Sequence, residues 1–301
     1  MRVAITGSSG LIGSALRARF GAAGHHTVPI VRRAPAAGEI GWDPRHGELD
    51  PSDLTGIDAV INLAGAGIGS HRWTDSYKRE LLESRTRSTS LISEAIAAAA
   101  GNAAGGPRVL LSGSGIDVYG ERGDETVDER SAGGTGFLAE LCAQWEVSTA
   151  AASAAGVRVV HLRTAMVLAG RGGALGRMLP LFRLGLGGRM GSGRQWVSWI
   201  SIDDEVGAIE HLLGSSVSGP VNLAAPGPVT NAEFARTLGR VLKRPAILPL
   251  PSLAPKLVLG SELVETLLLD GQRVVPRVLE GDSYVFEHPT LEGALRAVLG
   301  R

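Results

Sequence analysis

Apolar residues fall in short runs along the first half of the chain, separated by longer stretches that repeat them at helical spacing. Residues 3–6 form the first run, too short for a helix and rich in β-branched side chains, so it reads as a buried strand ending at Gly7. Residues 14–20 then show a helical period. The alternation recurs, with strands expected at 25–31, 58–65, 107–115 and 157–163, and a short extra one at 39–43. Between them lie a long helix over 80–100, with Leu81, Leu82, Leu91, Ile92 and Ile96 at apolar positions, and another over 136–155. Five strands alternating with helices predict an α/β fold, a Rossmann-like doubly wound parallel sheet whose ligands gather at the strands' carboxyl ends.

From residue 171 the pattern changes, and a smaller α+β lobe is expected. A helix is expected near 175–184, then one over 204–213 capped by Asp203, a strand at 219–225, and a helix over 232–242 capped by Asn231. A proline-punctuated stretch, 245–255, leads to helical segments at 254–269 and 290–299. The expected division is a nucleotide-binding domain over 1–170, with sheet completion from about 195–225, and a substrate lobe over 171–301.

Thirty basic and thirty acidic residues cancel, so the charge balance asks for neither nucleic acid nor an anionic membrane. No apolar run is long enough to span a bilayer. The single cysteine, Cys142, rules out an internal disulfide and leads to the expectation of a cytoplasmic protein. No His or Cys spacing suggests a metal, and Cys142 and His161 read as core residues.

The candidate chemistry lies at the strand ends. Gly7, Gly10 and Gly13 stand as Gly-x-x-Gly-x-x-Gly between the first strand and its helix. Gly7 suits a sharp turn, Gly10 a close approach to a pyrophosphate, and Gly13 close helix–strand packing; Ser9, Leu11 and Ile12 complete the cradle. Arg32 and Arg33 end the second strand, where an acid would hold the 2′-hydroxyl of NAD. Two guanidiniums suit a 2′-phosphate, which points to NADP(H). Leu63, Ala64 and Gly65 leave room for a flat ligand, and Ser112, Ser114, Thr164 and Val167 fall at later strand ends. Arg79, Arg85 and Arg87 are expected mostly on a solvated helix face, with one of them reaching a phosphate as the alternative. Arg194, Gln195, Trp196 and Trp199 are candidates for holding a substrate, with an inter-lobe packing seam as the alternative.

Thr6-Gly-Ser-Ser-Gly-Leu-Ile-Gly13, Asn62-Leu-Ala-Gly65, Val118-Tyr-Gly120 and Leu162-Arg-Thr164 together resemble the extended short-chain dehydrogenase/reductase superfamily. Phe137-Leu-Ala-x-Leu-Cys-x-x-Trp-Glu146, Gly191-Ser-Gly-Arg-Gln-Trp196 and Pro289-Thr-Leu-Glu-x-Ala-Leu295 narrow the resemblance to its SulA-like, NAD-dependent epimerase/dehydratase branch, with a C-terminal family-specific domain over 250–301. The resemblance implies NADP binding, an unidentified small-molecule substrate and, as a family-level expectation only, a homodimer. It also exposes a departure. Most of the superfamily uses a Tyr-x-x-x-Lys pair on the helix after the fourth strand, and here those positions hold Phe137 and Leu141. Phenylalanine has no proton to transfer, and leucine cannot stabilise a phenolate. Ser112 or Ser114 then remains to orient a substrate, with Tyr119 as the nearest proton donor; Tyr119→Phe is expected to lose turnover and keep cofactor affinity. Two functions stay open, an NADP(H)-dependent oxidoreductase or epimerase and a catalytically silent NADP(H) sensor.

Overall fold

The computed structural model describes residues 1–101, 105–246 and 260–301. The chain opens with β1 (Arg2–Thr6), α1 (Leu11–Ala22), β2 (His26–Val31), β3 (Ile40–Gly41), β4 (Ala59–Asn62), α2 (Asp75–Ala100) and β5 (Val109–Gly115). It continues through β6 (Thr126–Val127), α3 (Phe137–Val147), α4 (Ala150–Ala154), β7 (Arg158–Thr164), β8 (Met166–Leu168) and α5 (Gly173–Arg183). Then come β9 (Trp196–Val197), β10 (Trp199–Ser201), α6 (Ile202–Gly214), β11 (Gly219–Leu223), β12 (Val229–Thr230), α7 (Asn231–Leu242) and β13 (Arg273–Val274).

Seven strands form one parallel sheet in the order β3-β2-β1-β4-β5-β7-β11. The order runs outward in both directions from β1, and the reversal opens a crevice at the carboxyl ends of β1 and β4. Residues alternate between two covered faces, as a parallel sheet between helical layers requires. Val3 and Ile5 join Leu16 and Phe20 of α1 and Ile209 and Leu212 of α6 on one face. Ala4 joins Ile92 and Ile96 of α2 on the other. Each large side chain buried completely, such as Phe20 or Ile96, contributes about 1.5–3 kcal/mol of transfer free energy. Trp42 packs into this second face and is a core residue.

Three short strand pairs build the remainder: β6 with β13, β8 with β10, and β9 with β12. Around β8, β10 and β12, Trp199, Phe182, Phe234 and Leu295 form a separate core, while β6 and β13 bury Val127 and Val274 in another with Tyr119 and Trp145.

Several boundaries differ from expectation because side chains cap the backbone elsewhere. Thr74 accepts from the Tyr77 amide, so α2 starts at Asp75 rather than at residue 80. The expected helix over 136–155 breaks in two. Ser148 donates to the Gln144 carbonyl and Thr149 to the Glu146 carbonyl, which competes with helix continuation. Ser201, not Asp203, caps α6 by accepting from the Asp204 amide. Thr230, not Asn231, caps α7, and the Asn231 carboxamide instead accepts from the Met190 amide. Of the expected helix over 254–269, residues 254–259 lie outside the described residues; Ser261–Val264 is α-helical and Glu265–Leu269 continues as a π-helix. Among the described residues no helix is long and apolar enough to cross a membrane.

Candidate functional site

The turn from β1 into α1 is shaped by close backbone approach. Gly7 has φ +64°, and a Cβ there would lie 2.8 Å from the Leu63 carbonyl oxygen. A Cβ on Gly13 would lie 2.3 Å from the Gly7 carbonyl oxygen, so α1 sits as close to the turn as a glycine allows. The Gly10 amide donates to that same carbonyl at 2.9 Å. Gly10 caps α1 with no side-chain hydrogen bond, and no acidic residue occupies the first turn. Amides at the start of α1, among them those of Leu11, Ile12 and Gly13, therefore present donors and the positive end of the helix dipole to an anion.

Thr6 fixes the neighbouring strand end. Its hydroxyl donates to Asn62 Oδ1 at 2.6 Å and accepts from the Leu63 and Ala64 amides at 3.0 and 3.1 Å. Ser9 is exposed beside this turn, and Gly65 is exposed at the exit of β4. Val167 and Leu11 converge on Gly173, whose Cβ would lie 3.1 Å from Leu11 Cδ2 and 3.7 Å from the Val167 carbonyl oxygen. Arg32 and Arg33 are both exposed at the end of β2, and Arg33 is paired with Glu39. The structure thus brings the glycine turn, the β4 exit and the basic strand end together along the crevice edge.

Other expected site residues lie elsewhere. Ser112 is fully buried inside β5, opposite Asn62 in register, and its hydroxyl has no hydrogen-bond partner among the described residues. It does not reach the crevice. Tyr119 is fully buried; its hydroxyl donates to Asn222 Oδ1 at 2.7 Å and accepts from Arg163 at 3.0 Å. Burial pushes its phenol further above the ordinary value, although Arg163 and Asn222 act to lower it. A hydroxyl so enclosed cannot hand a proton to a substrate, which corrects the expectation for Tyr119. Ser114 is likewise buried and donates to Glu146 Oε1 at 2.8 Å.

Glu146 is the hub of this network. Arg163 grips both its oxygens at 2.8 and 2.9 Å, and His161 Nδ1 lies 3.7 Å away. Burial alone would raise the Glu146 carboxyl, but Arg163, Ser114 and His161 together hold it below the ordinary value. Glu146 and Arg163 stand in the sequence only as positions of two motifs, and neither they nor Asn222 carry an expected role there, because nothing local marks a buried polar pair.

The tryptophan segment divides. Trp199 is fully buried and its indole donates to the Gly227 carbonyl, so it is core rather than a stacking platform. Gln195 donates to the Met190 and Leu268 carbonyls at 3.2 and 2.8 Å, which ties the segment to the C-terminal region. Trp196 donates to Asp124 at 2.8 Å and lies under Arg273, 4.4 Å from the ring centre. Arg194 is exposed. Gln195 and Trp199 thus follow the packing-seam reading.

A cavity opens next to this seam, lined by Asp117, Glu121, Phe137, Thr266, Asp270 and Gln272 among others. Phe137 faces it and packs edge-on against Trp73. Burial pushes the Asp117 carboxyl up, despite the Arg85 guanidinium nearby. Arg85 corrects a second expectation. It is buried, donates to the Leu81 and Ala66 carbonyls, and lies against Gly65 and the Trp145 ring. Trp145 covers its face and Gly65 leaves the room that it fills, two signals that i, i+4 reasoning along α2 alone does not carry.

Thr164 ends β7 and donates to Glu205 Oε1 at 3.0 Å. The other Glu205 oxygen has no partner among the described residues, and burial pushes this carboxyl up to about 8. An unfolded glutamate titrates near about 4.3. Between those values the folded chain keeps a proton that the unfolded chain has lost, so stability falls as pH rises from the lower value through the upper one. Glu205→Gln is expected to flatten that decline, checked by urea unfolding at pH 5 and pH 8; equal declines in both proteins would contradict it.

Comparison with known proteins agrees with this geometry. Residues 3–224 match the NAD dependent epimerase/dehydratase family, and residues 250–298 match a domain of unknown function (DUF1731). The chain is 48% identical to the epimerase family protein Mb2239 of Mycobacterium bovis over 295 residues, 97% of this chain and 96% of that one. The crystal structure of the human epimerase family protein SDR39U1 (isoform 2) with NADPH superposes with a TM-score of 0.90 at 36% identity, covering 100% of this chain and 99% of that one. A nucleoside-diphosphate sugar epimerase from Corynebacterium glutamicum superposes with a TM-score of 0.80 at 36% identity, covering 100% of this chain and 58% of that one. A Rossmann-like sheet, a glycine cradle at its switch point and a match across most of its length place this chain in the NAD dependent epimerase/dehydratase family.

Proposed function

We propose that the chain binds NADP(H) and works as an oxidoreductase or epimerase-like protein on a small molecule. The observation that carries this reading is the crevice edge: an uncapped helix start behind Gly7, Gly10 and Gly13, with Arg32 and Arg33 exposed at the neighbouring strand end. The SDR39U1 structure with NADPH, at 36% identity, supports the same cofactor. The diphosphate would rest on the amides of residues 11–13, the adenosine 2′-phosphate would lie at the arginine pair, and Leu63, Ala64, Gly65 and Val167 would border the rest. A bound nicotinamide would supply hydride transfer, while the chain's own residues hold and orient it.

The substrate would occupy the cavity beside Phe137. Its acidic lining, with Asp117, Glu121 and Asp270, makes it poorly suited to an anionic group. Ser114 and Tyr119 are sealed in the Glu146 network, which favours a second reading: a cofactor-binding sensor without turnover. The test mixes the protein with NADPH and a panel of uncharged carbonyl compounds, with nucleotide sugars as the anionic set that the acidic lining is expected to turn away, alongside calorimetric titration of NADPH and NADH. Tighter NADPH binding with oxidation above a protein-free blank supports the enzyme. NADPH binding without oxidation across the panel favours the sensor. Tighter NADH binding rejects the assigned cofactor.

A further inference from the structure

The Arg33 guanidinium already holds an anion. Both Glu39 oxygens accept from it, NH1 and NH2 each at 2.6 Å. The loop is built to deliver that carboxylate. The Glu39 amide donates to the Ala36 carbonyl at 3.1 Å, closing a four-residue turn with Gly38 at φ +83°, the left-handed third position of a type II turn. The turn folds the Glu39 side chain back, and the Ala36 amide donates to its Oε2 at 2.8 Å. The Glu39 side chain is half-buried, at 16% exposure, while the Arg33 side chain is 61% exposed. Arg17 of α1 adds to the positive field at the same carboxyl, and Arg32 stands exposed alongside. A carboxylate presents two oxygens to a guanidinium edge in the same paired geometry as a phosphate.

We propose that Glu39 is a resident occupant of the 2′-phosphate subsite, holding the edge of Arg33 that a phosphate would take and yielding it when a 2′-phosphorylated dinucleotide binds. This rests on the NADP(H) reading above. Release costs the Arg33–Glu39 pair and brings two anions into one basic cluster, so Glu39 lowers affinity for NADPH in particular. NADH carries no 2′-phosphate and makes no such demand. Arg33 and the Ala36 amide hold the Glu39 carboxyl at about 2, so it stays charged throughout the working pH range, and only substitution removes its charge.

The experiment is calorimetric titration of wild type and Glu39→Gln with NADPH, NADH and adenosine 2′,5′-bisphosphate at one ionic strength. The expected result is tighter binding of both 2′-phosphorylated ligands by about threefold to fivefold, the upper end for an exposed ion pair and fitting for one held through two bonds, with NADH unchanged. Glu39→Ala is expected to shift them the same way. Weaker NADPH binding in both variants would show that Glu39 orients Arg33 for the phosphate and overturn the proposal, as would unchanged NADPH binding. Either result leaves the cofactor reading standing. Absence of binding by either dinucleotide to either protein would remove the cofactor reading, and this proposal with it.

Discussion

Gly13→Ala is expected to weaken NADPH binding by about tenfold to a hundredfold, the equivalent of the roughly 1–3 kcal/mol that an unrelieved overpacking contact costs. The added Cβ would meet the Gly7 carbonyl oxygen at 2.3 Å and the Ser8 Cα at 2.8 Å. Both obstacles are backbone, so no rotamer change relieves them. The helix must back away from the turn, and the amides of residues 11–13 move with it. The same displacement opens the packing of Leu16 and Phe20 against β1, an overpacking cost of about 1–3 kcal/mol. Gly21→Ala is the control: it lies in the same helix, and a Cβ there meets nothing within 4 Å. That variant is expected to keep NADPH affinity and to gain slightly in stability. Calorimetric titration with a thermal melt of both variants separates the two effects, and a Gly13→Ala protein that binds NADPH like wild type would contradict the cradle.

Arg163→Leu is expected to cost about 3–5 kcal/mol of stability, the range for removing one member of a buried ion pair. Glu146 would keep only Ser114 and His161, with its carboxylate enclosed. The pH dependence gives a sign to check. In the wild type, the Glu146 carboxyl is held below its unfolded value, so its contribution is present above that value and lost as pH falls through the folded one. Without Arg163, burial dominates and the carboxyl rises. The deficit of Arg163→Leu is therefore expected to be larger at pH 8 than at pH 5, measured by urea unfolding at both. Tyr119→Phe removes two hydrogen bonds, one donated to Asn222 and one accepted from Arg163, and is expected to cost about 2–4 kcal/mol while leaving NADPH affinity unchanged. This replaces the turnover loss that the sequence suggested, since the tyrosine is enclosed.

The sheet was legible because each strand's apolar run is long enough to fill two covered faces, and because glycine at residues 7, 10 and 13 follows directly on the first of them. The basic strand end was legible from position alone. What sequence could not supply was long-range pairing. Tyr119 looked available because Val118-Tyr-Gly120 follows a strand end, yet its hydroxyl is closed off by Asn222, 103 residues away. Arg85 looked solvated from its neighbours on α2, yet Trp145 from another helix covers it. Glu39 read only as part of a short strand, and its meeting with Arg33 depends on the turn at Gly38. Helix limits shifted for a smaller reason: Thr74, Ser201 and Thr230 turned out to be the capping side chains, each with several polar neighbours as competitors.

The central claim is tested most directly by a crystal structure of the chain grown with NADPH. The diphosphate is expected within hydrogen-bond distance of the amides of residues 11–13, with the 2′-phosphate against Arg32 and Arg33. A dinucleotide bound away from the β1–α1 turn, or lying there with its adenosine end remote from both arginines, would contradict it.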